Sequence, residues 1–128
     1  MTLSRITLRL ARNPGTDFPD GDPDRGYVLV APLTADKHLD EGAWKQHKTR
    51  CTVRHFSPDL QNPEMGVLNR RGNNWFFDYD ADRTDDDEPI FKLGLHSFDP
   101  NEFVTITDED GTAWTYRVTE VVAVSETA

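Results

Sequence analysis

The last third of the chain alternates between apolar and polar residues, as the two strands of a β-hairpin do. The positions predicted to face inward are Val104, Ile106, Trp114, Tyr116 and Val118. An Asp-Gly pair at 110–111 lies between the two runs, and glycine adopts the positive φ of a tight turn at little cost. This stretch predicts the best-defined hairpin of the fold, with Trp114 largely buried in its core.

The alternation of the second strand breaks at Glu120. Strict alternation would place this carboxylate beside Val118 and Val122 in the core, where an unpaired charge is costly. One extra residue near Thr119-Glu120 would form a β-bulge and return Glu120 to solvent. The same bulge would turn Val121 and Ala123 inward.

Further runs predict the remaining strands. They cover residues 4–11, 27–31, 48–56, 66–70, 75–79 and 90–95. The run 27–31 is continuously apolar, which is typical of a central strand covered on both faces, and 13–26 is predicted as a loop because it is rich in Pro, Gly and Asp. Residues 39–47 predict a helix of at most two turns, with Asp40 as its N-cap and Trp44 facing inward.

Helices do not alternate with strands along the chain, so a parallel α/β sheet is not predicted. We predict one domain, 1–128, of the all-β class with a minor helix. About seven or eight short strands would form a small antiparallel barrel or a two-layer sandwich.

The charge of the chain limits the partners it is expected to have. The net charge is −9 and the pI is about 4.7, so nucleic acid and membrane surfaces are not expected partners. Arginines interrupt the N-terminal apolar residues, which is unlike a signal peptide. The only cysteine, Cys51, has no internal disulfide partner. We therefore expect a soluble cytoplasmic protein in which Cys51 is buried and unreactive.

The acidic loops 17–24 and 78–88 raise the alternative of a divalent-cation (calcium) binding domain. Asp78, Asp80 and Asp82 repeat the opening spacing of a calcium loop. The remainder of the pattern fails, because Arg83 stands where the turn requires glycine and Pro89 stands where a carboxylate must close the site. We therefore predict diffuse attraction of cations and no metal site.

Basic side chains are expected to collect on one sheet face. The candidate binding residues are Arg5, Arg9, Lys48, Arg50 and Arg54, together with the aromatic Phe76. Alternation places the first two on the polar face of one strand and the next three on the polar face of another. If those strands are neighbours, the face could dock an acidic partner, unless nearby acidic side chains neutralise it.

Function is not determined by any motif in this chain. It contains no glycine-rich phosphate loop, no nucleophile elbow and no His-Glu-x-x-His pair. The leading hypothesis is a non-catalytic binding domain for a protein or small ligand, with no cofactor. The cation-binding domain is the first alternative, and an enzyme whose site is not readable from sequence is the second.

Overall fold

The described part of the chain forms a closed antiparallel β-barrel. The computed structural model describes residues 3–72, 74–79, 88–90, 97–108 and 110–124. Its strands are β1 (Leu3–Leu10), β2 (Asp22–Pro32), β3 (Thr52–Phe56), β4 (Glu64–Arg71), β5 (Asn74–Asp78), β6 (Glu88–Ile90), β7 (Phe103–Thr107) and β8 (Ala113–Val124). Each strand pairs with the next, and β8 pairs with β1. The predicted all-β class is confirmed, and the barrel is the correct one of the two predicted architectures.

Apolar and polar residues alternate along the strands, so the apolar side chains point inward and fill the barrel interior. Inward-facing apolar residues come from every strand, including Ile6, Leu8, Leu29, Val53, Leu68, Phe77, Ile90, Val104, Ile106 and Val118. In an eight-stranded barrel the interior is just wide enough for such side chains, or for one small ligand. In the 27–31 run, Val28 and Val30 lie half-buried on the outer face. The prediction that both faces of this strand are covered was therefore wrong, because closing the barrel buries the inner face of this strand and leaves its outer face partly open to solvent.

A short helix, α1 (Glu41–Gln46), covers one end of the barrel. The carboxylate of Asp40 accepts a hydrogen bond from the backbone N–H of Ala43, as predicted for an N-cap. Trp44 is 2% exposed, and its indole N–H donates to the backbone carbonyl of Leu68 at 3.0 Å. The helix thus seals this end with one large side chain.

The predicted bulge is present in β8. Thr7 of β1 pairs with Glu120, while the next residue, Leu8, pairs with Val118, so Thr119 is the extra residue. Glu120 lies at the surface, and Val121 packs against the core. Ala123 is exposed, so its predicted inward position was wrong.

Three predicted boundaries differ most from the structure. Lys48–Arg50 forms a 3₁₀ turn, so the strand predicted over 48–56 begins only at Thr52. Residues 22–26 belong to β2, although the Pro- and Gly-rich sequence predicted a loop there. The last described strand before the final hairpin is Glu88–Ile90, and residues 91–95 of the predicted range 90–95 lie outside the described residues.

The connection of the final hairpin is longer than the Asp110-Gly111 pair that marks its turn in the sequence. Thr107 pairs with Ala113, which leaves residues 108–112 between the strands. The Asp108 carboxylate accepts hydrogen bonds from the backbone N–H groups of Asp110 and Thr112. A side chain, rather than backbone pairing alone, therefore organises this turn.

No helix in the described part of the chain is long and apolar enough to cross a bilayer.

Candidate functional site

The end of the barrel opposite α1 opens into a cavity of about 210 Å³. It lies where β1, β3 and β7 end and where β2, β6 and β8 begin. Its lining residues are Leu10, Phe18, Arg25, Tyr27, His55, Ser57, Asp59, Leu60, Glu88, Asp108, Trp114 and Tyr116. We refer to this cavity as the barrel mouth. Apolar and aromatic walls with a few polar groups are typical of a small-molecule site.

Aromatic rings make up much of the wall of the barrel mouth. Tyr27 and Tyr116 meet edge to face with ring centroids 5.1 Å apart. Phe18 and Trp114 meet in the same way at 5.9 Å. Edge-to-face pairs are favourable beyond the area they bury, so these rings hold one another in place. A ligand would therefore meet a wall that is largely formed before it binds.

Glu88 is a buried carboxylate in the lining of the mouth, only 4% exposed. The hydroxyls of Tyr27 and Tyr79 donate to its Oε1 at 3.0 and 2.6 Å. Burial raises the pKa of both tyrosines well above the usual value, and the nearby Glu88 raises the pKa of each further. Both hydroxyls therefore remain protonated and continue to donate to Glu88.

Arg25 joins the loops around the mouth. Its guanidinium donates to Asp22, Asp59 and Ser57 at 3.0, 2.7 and 2.9 Å. It also lies 4.3 Å from the ring centroid of Phe18, which favours a cation–π contact. The hydrogen bond to Asp59 is the main cause that raises the pKa of Arg25. These contacts fix Phe18 and the loop that carries it.

His55 lies against the aromatic wall and is neutral at pH 7. Its ring stacks on Tyr27 with centroids 4.5 Å apart and planes 17° apart. Its Nδ1 is buried without a hydrogen-bond partner and stands 3.6 Å from the Glu64 carboxylate, beyond hydrogen-bonding distance. Burial lowers the pKa of His55, and the positive charge of Arg25 lowers the pKa further.

The lowered pKa of His55 predicts a loss of stability under mild acid. The unfolded chain binds a proton at pH values where folded His55 does not, so unfolding takes up a proton. The free energy of unfolding should therefore fall as the pH drops from about 6.5, the unfolded pKa, towards the lower folded pKa. Urea unfolding between about pH 7 and pH 5.5, above the range where most carboxylates titrate, measures this slope.

Two histidine variants isolate this effect. His55→Asn should reduce the slope over this pH range, because it removes the titrating group. His38→Gln, at a histidine outside the mouth, is the control for replacing a histidine elsewhere in the chain. An unchanged slope in His55→Asn would contradict the assignment to His55.

Trp114 lies on the predicted face of β8 but is less buried than predicted. It is half-buried at the rim of the mouth, while Tyr116 and Val118 on the same face are buried. Its indole N–H donates to the Asp108 carboxylate at 2.9 Å. The difference arises because Trp114 stands near the start of the strand, where the barrel opens.

The structure brings together three of the five predicted basic residues. Arg5, Arg9 and Arg54 line one groove on the outer face of the barrel. Lys48 and Arg50 belong instead to the 3₁₀ turn, and the Lys48 amine lies 4.7 Å from the ring centroid of Trp44. The alternation predicted for 48–56 was wrong at these two positions because the strand begins after them.

Phe76, the aromatic candidate binding residue, is buried on the outward face of β5. It is 4% exposed, and the Arg71 guanidinium lies 4.3 Å from its ring centroid. Alternation correctly places Phe76 opposite Trp75 and Phe77, whose side chains join the core cluster. The outward face of β5 is nevertheless covered at this position.

The predicted metal candidates do not form a described site. Asp78 is half-buried and accepts a long hydrogen bond from the Asn69 amide at 3.4 Å. Asp80 and Asp82 lie outside the described residues. In the other acidic loop, Asp22 pairs with Arg25. Within the described ranges, no group of three or more His, Cys, Asp or Glu side chains could hold a metal ion.

Cys51 is buried, as predicted. Its thiol donates to the backbone carbonyl of His47 at 3.4 Å. Burial raises the pKa of the thiol to about 11. Because the thiolate is the nucleophilic form, this cysteine is a poor nucleophile at neutral pH.

Sequence reasoning missed the barrel mouth. Its lining residues are spread from Leu10 to Tyr116, and only barrel closure brings them together. The available signal was weak: Glu88 ends an acidic run and is followed by Pro89 and the apolar Ile90.

Comparisons of the chain with family models, curated proteins and solved structures found no match.

Proposed function

We propose that this protein binds a small, largely apolar ring compound in the barrel mouth, without catalysing a reaction. The observation that carries the proposal is the aromatic-walled cavity at the open end of the barrel, with the buried Glu88 in its lining. Its volume of about 210 Å³ is below the roughly 300 Å³ at which sites for drug-sized ligands begin. The ligand is therefore a compound of one or two rings.

The polar groups of the mouth favour a ligand with a hydrogen-bond donor. The acidic side chains Glu88, Asp59 and Asp108 outnumber the one arginine, Arg25, and His55 is neutral. A carboxylate only accepts hydrogen bonds, so a ring N–H or O–H would bind more favourably than a ring that carries only acceptors. A hydrogen bond to a charged group contributes about 1.5–3 kcal/mol, which is enough to select between otherwise similar rings.

Binding without catalysis is proposed because the serine, arginine and carboxylate groups of the mouth already hold hydrogen bonds within the protein. Ser57, the serine in the lining, accepts hydrogen bonds from Arg25 and from the backbone N–H of Asp59. Asp108 accepts hydrogen bonds from Trp114 and from the turn that it organises.

We place the function in the cytoplasm, and the free, buried thiol of Cys51 supports this part of the proposal.

Titration of the isotope-labelled protein with indole and benzofuran tests this proposal. The two compounds share size and shape, but indole has a ring N–H where benzofuran has an oxygen acceptor. Indole should cause saturable NMR shifts at the Trp114 side chain and at the backbone amides of Tyr27 and His55. It should bind about tenfold more tightly than benzofuran, since tenfold corresponds to about 1.4 kcal/mol.

Variants locate the binding. Trp114→Leu should weaken the binding of both compounds because it removes part of the wall of the mouth. Glu88→Gln should reduce the preference for indole over benzofuran. Met65→Ala, at an exposed residue outside the mouth, should bind both compounds as the wild type does. Shifts that do not saturate, or equal binding by Trp114→Leu and the wild type, would exclude the mouth as the site.

A further inference from the structure

We propose a second binding site on the outside of the barrel, which takes a small phosphate monoester. It is a groove of about 390 Å³ across the neighbouring strands β8, β1, β2 and β3. Its lining residues are Arg5, Thr7, Arg9, Val28, Arg54, Phe56 and Glu120. We refer to it as the arginine groove. It faces outward and shares no lining residue with the barrel mouth, so the two sites are tested separately.

Strand register explains how the arginine groove forms. Thr7 of β1 pairs with Val28 of β2, which in turn pairs with Arg54 of β3. Arg5 and Arg9 flank Thr7 on the same face of β1, since side chains alternate along a strand. The shorter Thr7 and Val28 thus lie between three longer arginines, which form a depression with a basic rim.

Gly26 shapes one end of the groove. Gly26 lies between Arg9 on β1 and Phe56 on β3 in the strand register. Because glycine has no side chain, the guanidinium of Arg9 reaches across β2 to within 5.4 Å of the Phe56 ring centroid. The half-buried Phe56 ring offers an apolar surface beside the cations. A ligand with an anionic end and an apolar body would match this arrangement.

The groove carries positive charge that the protein itself does not neutralise. Arg54 is exposed and has no ion pair or side-chain hydrogen bond within the described residues. Arg5 pairs with Glu120 only at 3.9 Å, with both side chains about half exposed (48% and 55%), and such pairs contribute little. Arg9 donates to the backbone carbonyl of Pro23 and keeps its charge. Three arginines against one glutamate leave a formal charge of +2 in the groove.

A phosphate monoester matches this charge and size. Its phosphate group carries about −1.5 to −2 at pH 7 on three acceptor oxygens, and arginine binds such groups with two parallel hydrogen bonds. The net charge of the whole chain is −9, which opposes binding of any anion at long range. Since charge effects are screened beyond about 8 Å at physiological salt, the local arginines decide what binds.

Titration with phenyl phosphate at about 0.15 M salt, the ionic strength at which the Debye length is about 8 Å, tests this inference. Phenyl phosphate should cause saturable NMR shifts at the backbone amides of Thr7, Val28 and Arg54. Arg54→Gln and Arg5→Gln should each weaken binding tenfold or more. Glu120→Gln should strengthen binding, because it removes the one negative side chain that lines the groove. Opposite effects at neighbouring residues are not explained by a general loss of folding.

Arg50→Gln is the matched control, because it removes the same charge outside the groove. It should bind phenyl phosphate as the wild type does, and equal weakening in Arg50→Gln and Arg54→Gln would overturn the inference in favour of diffuse attraction. Tighter binding of citrate than of phenyl phosphate would overturn the phosphate assignment. If a short glutamate-rich peptide bound more tightly than phenyl phosphate, the proposal of a small-molecule ligand would be overturned in favour of an acidic protein partner.

Discussion

Replacing Trp44 with alanine should lower the free energy of unfolding by about 3–5 kcal/mol. This side chain is 2% exposed and meets the Trp75 ring edge to face with centroids 4.7 Å apart. Its removal would leave a cavity under α1 and would also leave the buried carbonyl of Leu68 without the indole donor. Urea unfolding followed by circular dichroism measures the loss.

Two further substitutions show whether the loss comes from sealing the barrel. Trp44→Phe keeps much of the apolar volume and should cost less than Trp44→Ala. Trp114→Ala removes an equally large ring from the half-buried rim of the opposite end, so it should also cost less. If Trp114→Ala destabilised the protein as much as Trp44→Ala, burial would not be the cause.

Gly26→Ala should destabilise the protein by about 3 kcal/mol, at the upper end of the usual cost of overpacking. A Cβ atom at this position would lie 1.8 Å from the backbone carbonyl oxygen of Leu8 and 3.0 Å from the Phe56 ring. The carbonyl belongs to β1, so relief of the clash requires β1 and β2 to separate near Arg9 and Leu10, where their register already shifts. Thermal and urea unfolding measure the effect.

Gly42→Ala is the matched control for this substitution. A Cβ atom at Gly42 would meet only the Asp40 carboxylate, at an ordinary 3.7 Å. Since glycine within a helix costs about 0.5–1 kcal/mol relative to alanine, Gly42→Ala should stabilise the protein by up to that amount. A destabilising Gly42→Ala, or a neutral Gly26→Ala, would contradict these assignments.

The strand content of the protein was predictable from local pattern. Alternating apolar residues in 4–11 and 104–118 correctly identified the inward faces of β1, β7 and β8. The bulge was also predictable, because a carboxylate at an inward position is too costly to leave there. The helix followed from Asp40 and Trp44. In each case the information lies within a few neighbouring residues.

The two candidate sites differed in how much of each could be predicted from the sequence. Alternation places Arg5 and Arg9 on one face of β1, so part of the arginine groove was predictable. Their proximity to Arg54 depends on the order of β1, β2 and β3, which no local pattern specifies. Lys48 and Arg50 were wrongly assigned to a strand. They belong to a three-residue 3₁₀ turn, and the alternating strand begins only after it.

By itself, the sequence determined the all-β class, the faces of most strands, the bulge and the cap of the helix. Only the tertiary structure decided between barrel and sandwich, because the choice depends on whether β8 pairs with β1, between residues such as Leu3 and Val124 at opposite ends of the described chain. The barrel mouth depends on the same closure, which brings Leu10, Glu88 and Trp114 to one cavity. Local patterns record which side of a strand is buried, whereas the neighbours of each strand are set by packing of the whole chain.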